Sequence, residues 1–353
     1  MGSDEIRLLR KVLESDFPNE GEYAARFEEK IERLTGAKHA VAVTSGTAGI
    51  FLALKALGVG GGDEVIVPDL TFIATANAAE LCGAKPVLAD VDPTTLNISV
   101  EAARKAVTDK TNAIIPVHVS GRAADMKGLS DLASEMGIHV VEDAAEGFMS
   151  RHRGRFLGTF GACGVLSFSP NKVITTGQGG MVLTDDDEVH VRLRELKDQG
   201  RPIRGTGGDD VHANVGYNFK FTDLQAAVGL GQLKLLRGRL ARMRARERIY
   251  RRRLAGLEGI RLFPADLKGG ELPLWTDALV EDRGGLESRL ATKDMGCRRF
   301  WHPLHTQNPY RLPDAGFLNS TALAKSALWL PSAFTLTDND VKRVCDEITG
   351  FLG

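Results

Sequence analysis

Between residues 38 and 200, short runs rich in β-branched residues alternate with helical stretches. That alternation restricts the chain to a largely parallel sheet with helices packed on both faces, an α/β architecture. Strands are expected at 40–43, 64–67, 86–91, 113–117, 139–142, 164–168 and 181–184, with helices at 47–57, 71–82, 99–107, 125–136 and 187–198. In such sheets ligands bind beyond the carboxyl ends of the strands, so the residues following each run are where chemistry is sought.

After residue 222 the pattern changes. Thr222-Asp223-Leu224-Gln225 has the form of a capping box, and Leu233, Leu236, Leu240, Met243, Tyr250 and Leu254 recur at helical spacing. One long helix is expected, bent near Gly229, Gly231 or Gly238. The nine arginines between 237 and 253 read as its solvated face. A strand at 273–280 and helices at 284–295 and 338–351 suggest a smaller α+β unit. The expected division is an N-terminal segment 1–19, a large domain 20–240 and a small domain 241–353.

With 353 residues, 43% of them hydrophobic, the chain can bury a sizeable core. Lys+Arg 45 against Asp+Glu 46 leaves a net charge of -1, without the positive field that drives non-specific binding to nucleic acid or anionic membrane. Cys82, Cys163, Cys297 and Cys345 form no close pair, which argues against a zinc site or a disulfide framework. No apolar run approaches a membrane span, and the polar start lacks the features of a signal peptide. A cytoplasmic protein without metal is expected.

Three segments carry chemistry. Val43-Thr44-Ser45-Gly46-Thr47 leads from a strand into an apolar helix, where free amides, a positive helix end and the hydroxyls of Ser45 and Thr47 suit a phosphate; both residues are equally ordinary helix caps. Gly58 to Gly62 lies between a helix and a strand, the reverse of a nucleotide-binding loop, and reads as a turn. Val140-Val141-Glu142-Asp143 ends an apolar strand in a carboxylate, which suits either a helix cap or a partner for a protonated pyridine nitrogen. In the third segment, Leu166 to Gly180, Lys172 leaves a strand and enters a glycine-containing loop. A partly desolvated lysine there can form an imine and move protons.

In this order and spacing, these segments resemble the DegT/DnrJ/EryC1/StrS sugar aminotransferases, fold-type I pyridoxal-phosphate enzymes. The resemblance extends from about residue 16 to the C-terminus. Glu20-Gly21, Phe27-Glu28, Pro68, Thr71-Phe72, Pro116-Val117-His118, Ser167-Phe168 and Gly216-Tyr217-Asn218-Phe219 also carry it. It implies that Lys172 forms the Schiff base with pyridoxal 5'-phosphate, Asp143 faces the ring nitrogen and Phe72 stacks on the ring. By the same resemblance Ser45, Gly46, Thr47 and Ser167 hold the phosphate, and Asn218 completes the site of a second subunit in a homodimer. Glu146 would lie near the cofactor's phenolic side, as in the perosamine synthase-like branch.

The implied activity is transfer of nitrogen, with L-glutamate as donor, to a nucleotide-linked keto-sugar, commonly a 4-keto-6-deoxy sugar. Phe300 to His305 resembles the substrate-side loop, with His302 and His305 as substrate contacts. Pro303 between these histidines, and the lack of a third ligand, argue against metal. Two other readings are a dehydratase of the same fold, whose relatives carry His where this chain has Lys172, and a non-catalytic sensor, for which no degraded site or added DNA-binding segment is visible.

Overall fold

The alternation becomes a seven-stranded sheet in the computed structural model, which describes residues 2–202, 212 and 214–353. The strands are β1 His39–Val43, β2 Glu64–Pro68, β3 Lys85–Ala89, β4 Thr111–Ile114 and β5 His139–Asp143. A short hairpin follows, β6 Arg151–His152 and β7 Arg155–Phe156, and then β8 Cys163–Ser167 and β9 Gly180–Thr184. The sheet order is β1-β9-β8-β5-β4-β2-β3. Strands β3, β2, β4, β5 and β8 are parallel, whereas β9 runs antiparallel to both β8 and β1. The reversal has a local cause: residues 168–179, which include Lys172, contain no helix to carry the chain back across the sheet.

The carboxyl ends of β5 and β8 are held close to the helix Gly46–Ala56. That helix is apolar on nearly every side and is buried accordingly. A Cβ on Gly49 would lie 2.8 Å from Val165 Cγ1, so the missing side chain lets the helix settle onto β8. At the helix start, a Cβ on Gly180 would meet the Ser45 carbonyl oxygen at 2.4 Å, and one on Gly46 would meet Ser167 Cβ at 3.3 Å. Small residues therefore bring three separate segments together at one point.

Behind Asp143, Glu142 and His118 form a buried pair with Oε2 and Nε2 2.8 Å apart. The Ala124 amide donates to His118 Nδ1, which places the ring proton on Nε2, facing Glu142. Glu142 also accepts from the amides of Gly158, Phe160 and Gly161. Removing this carboxylate would leave several buried donors unsatisfied, so Glu142 secures the end of β5 on which Asp143 stands.

A second sheet contains β10 Ile260–Leu262, β11 Thr276–Val280, β12 Arg298–Arg299 and β13 Ala327–Leu330, all antiparallel in the order β10-β11-β13-β12. Leu286 and Leu290 from one helix, and Val341, Val344 and Ile348 from the C-terminal helix, pack with Ala278, Val280, Leu328 and Leu330.

The expected long helix is two helices, Asp223–Leu233 and Leu236–Arg253. The break falls at Lys234–Leu235, not at a glycine; the amides of these residues bond three residues back, to Gly231 and Gln232, which tightens and ends the first helix. Gly231 instead provides room for Glu5, whose Cγ would lie 2.6 Å from an added Cβ. The arginine face also differs from expectation. Arg246 is fully buried and donates to the carbonyls of Pro273, Leu274 and Ser332, while Arg242 and Arg253 pair with Asp338 and Asp346. Spacing alone did not reveal these acceptors, which come from distant parts of the chain. The second helix spans residue 240, with Leu236 and Met243 in the core of the first sheet and Ile249 and Tyr250 in that of the second.

Candidate active site

A cavity of about 420 Å³ lies between the two sheets, a volume suited to a small ligand. Ser45, Gly46, Thr47, Phe72, Asp143, Glu146, Ser167 and Lys172 all line it. Eight of the eleven expected site residues are thus gathered around one space.

Ser45 caps the Gly46–Ala56 helix by accepting the Ala48 amide at 3.1 Å through Oγ. Its hydroxyl hydrogen remains free to serve an acceptor, and the first helical amides have no acceptor within the helix. Ser167 Oγ, at the end of β8, stands 3.0 Å from Ser169 Oγ. Hydroxyls, amides and the positive helix end together suit an anion.

Asp143 terminates β5. Its Oδ2 accepts from Thr75 Oγ1 at 2.8 Å and its Oδ1 from the Ala145 amide at 3.1 Å, which fixes the orientation of a nearly buried carboxylate. Phe72, on the segment after β2, is 55% exposed although large and apolar, giving the cavity an open aromatic wall.

Lys172 Nζ lies 3.3 Å from Glu146 Oε1 and 5.0 Å from the Trp275 ring centroid, a cation held between a carboxylate and an aromatic face. Burial pushes the Glu146 carboxyl above its ordinary range, opposed by the Lys172 charge and the Ser120 amide. A Lys amine, a carboxylate at the floor, an anion-binding turn and an aromatic wall fit the aldehyde, ring nitrogen, phosphate and ring of pyridoxal phosphate.

The second sheet adds residues that carried no recognisable sequence signal. The chain's three tryptophans, Trp275, Trp301 and Trp329, all line the cavity, together with Arg298. Arg298 faces the Trp329 ring at 5.2 Å and makes no ion pair among the described residues. The buried Trp329 Nε1–H likewise has no acceptor among the described residues.

Three expected residues lie elsewhere. His302 is exposed and outside the cavity lining. His305 is corrected more strongly: it is fully buried, its Nδ1 is 2.7 Å from Asp69 Oδ2, and its ring stacks on Phe317 with centroids 4.6 Å apart. The Leu304 and His305 amides both donate to Asp69, drawing the loop inward and leaving Trp301 as its cavity-facing side chain. Asn218 is exposed and forms a bridge with Asp198, outside this protomer's cavity lining.

Sequence comparison matches residues 1–349 to the DegT/DnrJ/EryC1/StrS aminotransferase family. The chain belongs to that family. It is a pyridoxal-phosphate-dependent aminotransferase. The chain is 37% identical to the GDP-perosamine synthase of Caulobacter vibrioides over 92% of its length and 88% of that protein's. It is 34% identical to the GDP-perosamine synthase of Vibrio cholerae, covering 99% of this chain and 97% of that protein. The crystal structure of S. venezuelae DesV in complex with a ketimine intermediate matches with a TM-score of 0.93 at 32% identity, covering 99% of this chain and 94% of that one. The described residues contain no helix long and apolar enough to cross a membrane.

Proposed function

We propose that this nucleotide-sugar aminotransferase moves nitrogen from L-glutamate to a nucleotide-linked 4-keto-6-deoxy sugar, using Lys172 as its catalytic amine. The observation that carries the assignment of Lys172 is its convergence with Asp143 and the Ser45-Gly46-Thr47 turn on one cavity. Similarity to two GDP-perosamine synthases supports the sugar class.

When bound, pyridoxal phosphate supplies a reactive aldehyde and a ring that accepts electron density. Lys172 would hold the aldehyde through its amine and, when free, would move the proton. Asp143 would keep a proton on the ring nitrogen by its negative charge. Ser45, Thr47, Ser167 and the helix start would hold the phosphate, Phe72 would lie against the ring, and Gly46 would leave room for the close approach. Glu146 provides the charge opposite Lys172. Arg298 and the tryptophans supply a cationic, aromatic wall suited to a substrate with phosphate groups and a sugar face.

Asn218 is proposed to reach the neighbouring protomer's phosphate site in a homodimer. Its exposure, and its place outside its own protomer's cavity, support that role. The test is release of 2-oxoglutarate from glutamate in the presence of a panel of nucleotide-linked keto-sugars. Turnover with at least one 4-keto-6-deoxy sugar is expected; turnover confined to sugars with a ketone elsewhere, or none with any, contradicts the assignment. In the same assay a mixture of Lys172→Ala and Asn218→Ala chains should recover activity absent from Lys172→Ala and impaired in Asn218→Ala, since one composite site is intact. No recovery after verified subunit exchange would remove the shared site.

A further inference from the structure

The second sheet reaches the Lys172–Glu146 pair through a buried relay. Glu146 Oε2 accepts the Ser120 amide at 2.8 Å, on the side of the carboxylate away from Lys172. Ser120 Oγ donates to Asp277 Oδ1 at 2.8 Å. Asp277 Oδ2 accepts from Arg122 Nη1, and Arg122 Nη2 donates to the Thr95 carbonyl at 3.1 Å. All four side chains from Glu146 to Arg122 are buried.

The backbone of Ser120 shows that its position is imposed. Its φ is 52° and its ψ 23°, a left-handed conformation that a non-glycine residue keeps only where its surroundings hold it there. Three contacts hold it: the hydroxyl to Asp277, the amide to Glu146, and the carbonyl accepting the Leu274 amide at 2.8 Å. Two of the three come from the segment leading into or forming β11. Trp275 stands in the bend just before β11, and Asp277 is the second residue of that strand. Trp275 covers the Lys172 ammonium, while Asp277 fastens the residue whose amide holds Lys172's counter-charge.

We infer that Ser120 and Asp277 are positioning residues, through which β11 of the second sheet fixes Glu146 against Lys172 and sets the proton affinity of the lysine nitrogen. Without the Ser120 hydroxyl, the turn loses its tie to Asp277 and the amide drifts from Glu146. A carboxylate deprived of a donor in a buried site accepts a proton more readily, so Lys172 loses its counter-charge and holds its own proton less tightly. The charged groups acting on Glu146 besides Lys172 are Asp143 from β5 and Asp277 from β11, and Arg298 lines the same cavity. A substitution at Ser120 leaves Asp143 and Arg298 in place and takes one donor from Asp277, which keeps its bond from Arg122.

The inference rests on Lys172 being the amine bound to the cofactor. Its test is a pH titration of the cofactor's visible absorption band in the holoenzyme, which reads protonation at the lysine nitrogen. Ser120→Ala should lower the midpoint by about half a pH unit or more, within the range expected for a weakened charge partner. Ser120→Gly also lacks the hydroxyl but tolerates positive φ, so it should show the same shift even where the alanine variant folds poorly. A midpoint unchanged in the folded glycine variant, whatever happens to stability or turnover, overturns the relay. Absence of any Lys172-linked band in the unaltered protein would instead overturn the assignment of Lys172.

Discussion

Lys172→His should retain pyridoxal phosphate while losing multiple-turnover nitrogen transfer by several orders of magnitude. Imidazole cannot bind the aldehyde covalently as the lysine amine does, nor displace product from it. Cofactor retention should persist because the anion-binding turn, Asp143 and Phe72 form a separate set of contacts around the same cavity. Dehydration is not expected to replace transamination, because the pocket must also align the departing sugar hydroxyl. Steady-state transfer of nitrogen to the keto-sugar provides the measurement. Near-normal turnover by the variant would remove Lys172 from the catalytic role.

The second large effect is expected at Asp143. Asparagine preserves the shape: its Oδ1 can still accept the Ala145 amide, while its Nδ2 replaces the oxygen that accepted from Thr75 Oγ1 and donates to that hydroxyl instead. It lacks the charge proposed to hold a proton on the ring nitrogen. Asp143→Asn should therefore lower kcat by on the order of 10²–10³-fold, the usual loss when one preorganised electrostatic partner of a transition state is removed. KM for the sugar should change much less, because the role proposed for Asp143 is toward the cofactor. A fall confined to KM, with kcat retained, would place Asp143 in substrate binding instead.

The residues around the anion site and Asp143 were legible because short-range rules specify them. A strand followed by Ser45-Gly46-Thr47 and an apolar helix must place free amides and hydroxyls at the strand's carboxyl end, and Asp143 ends its own strand in the same layer. The aromatic wall was not legible in this way. Trp275, Trp301 and Trp329 are separated in sequence and meet because antiparallel register places Trp329 opposite Asp277 and Arg298. His305 illustrates the converse difficulty: a histidine two residues after a proline in a polar loop resembles a ligand, and only the inward pull of Asp69 shows that it is internal. The helix break at Lys234–Leu235 was obscured because apolar spacing continues through it. Arg246 was hidden among neighbouring arginines whose charge pattern suggests solvent.

The central claim is that Lys172 is the cofactor-binding amine, and it can be tested by sodium borohydride reduction of the purified holoenzyme followed by peptide mapping. The reduced cofactor should be attached to the peptide containing Lys172. Attachment to another lysine, or no attachment after reconstitution with pyridoxal phosphate, would contradict it.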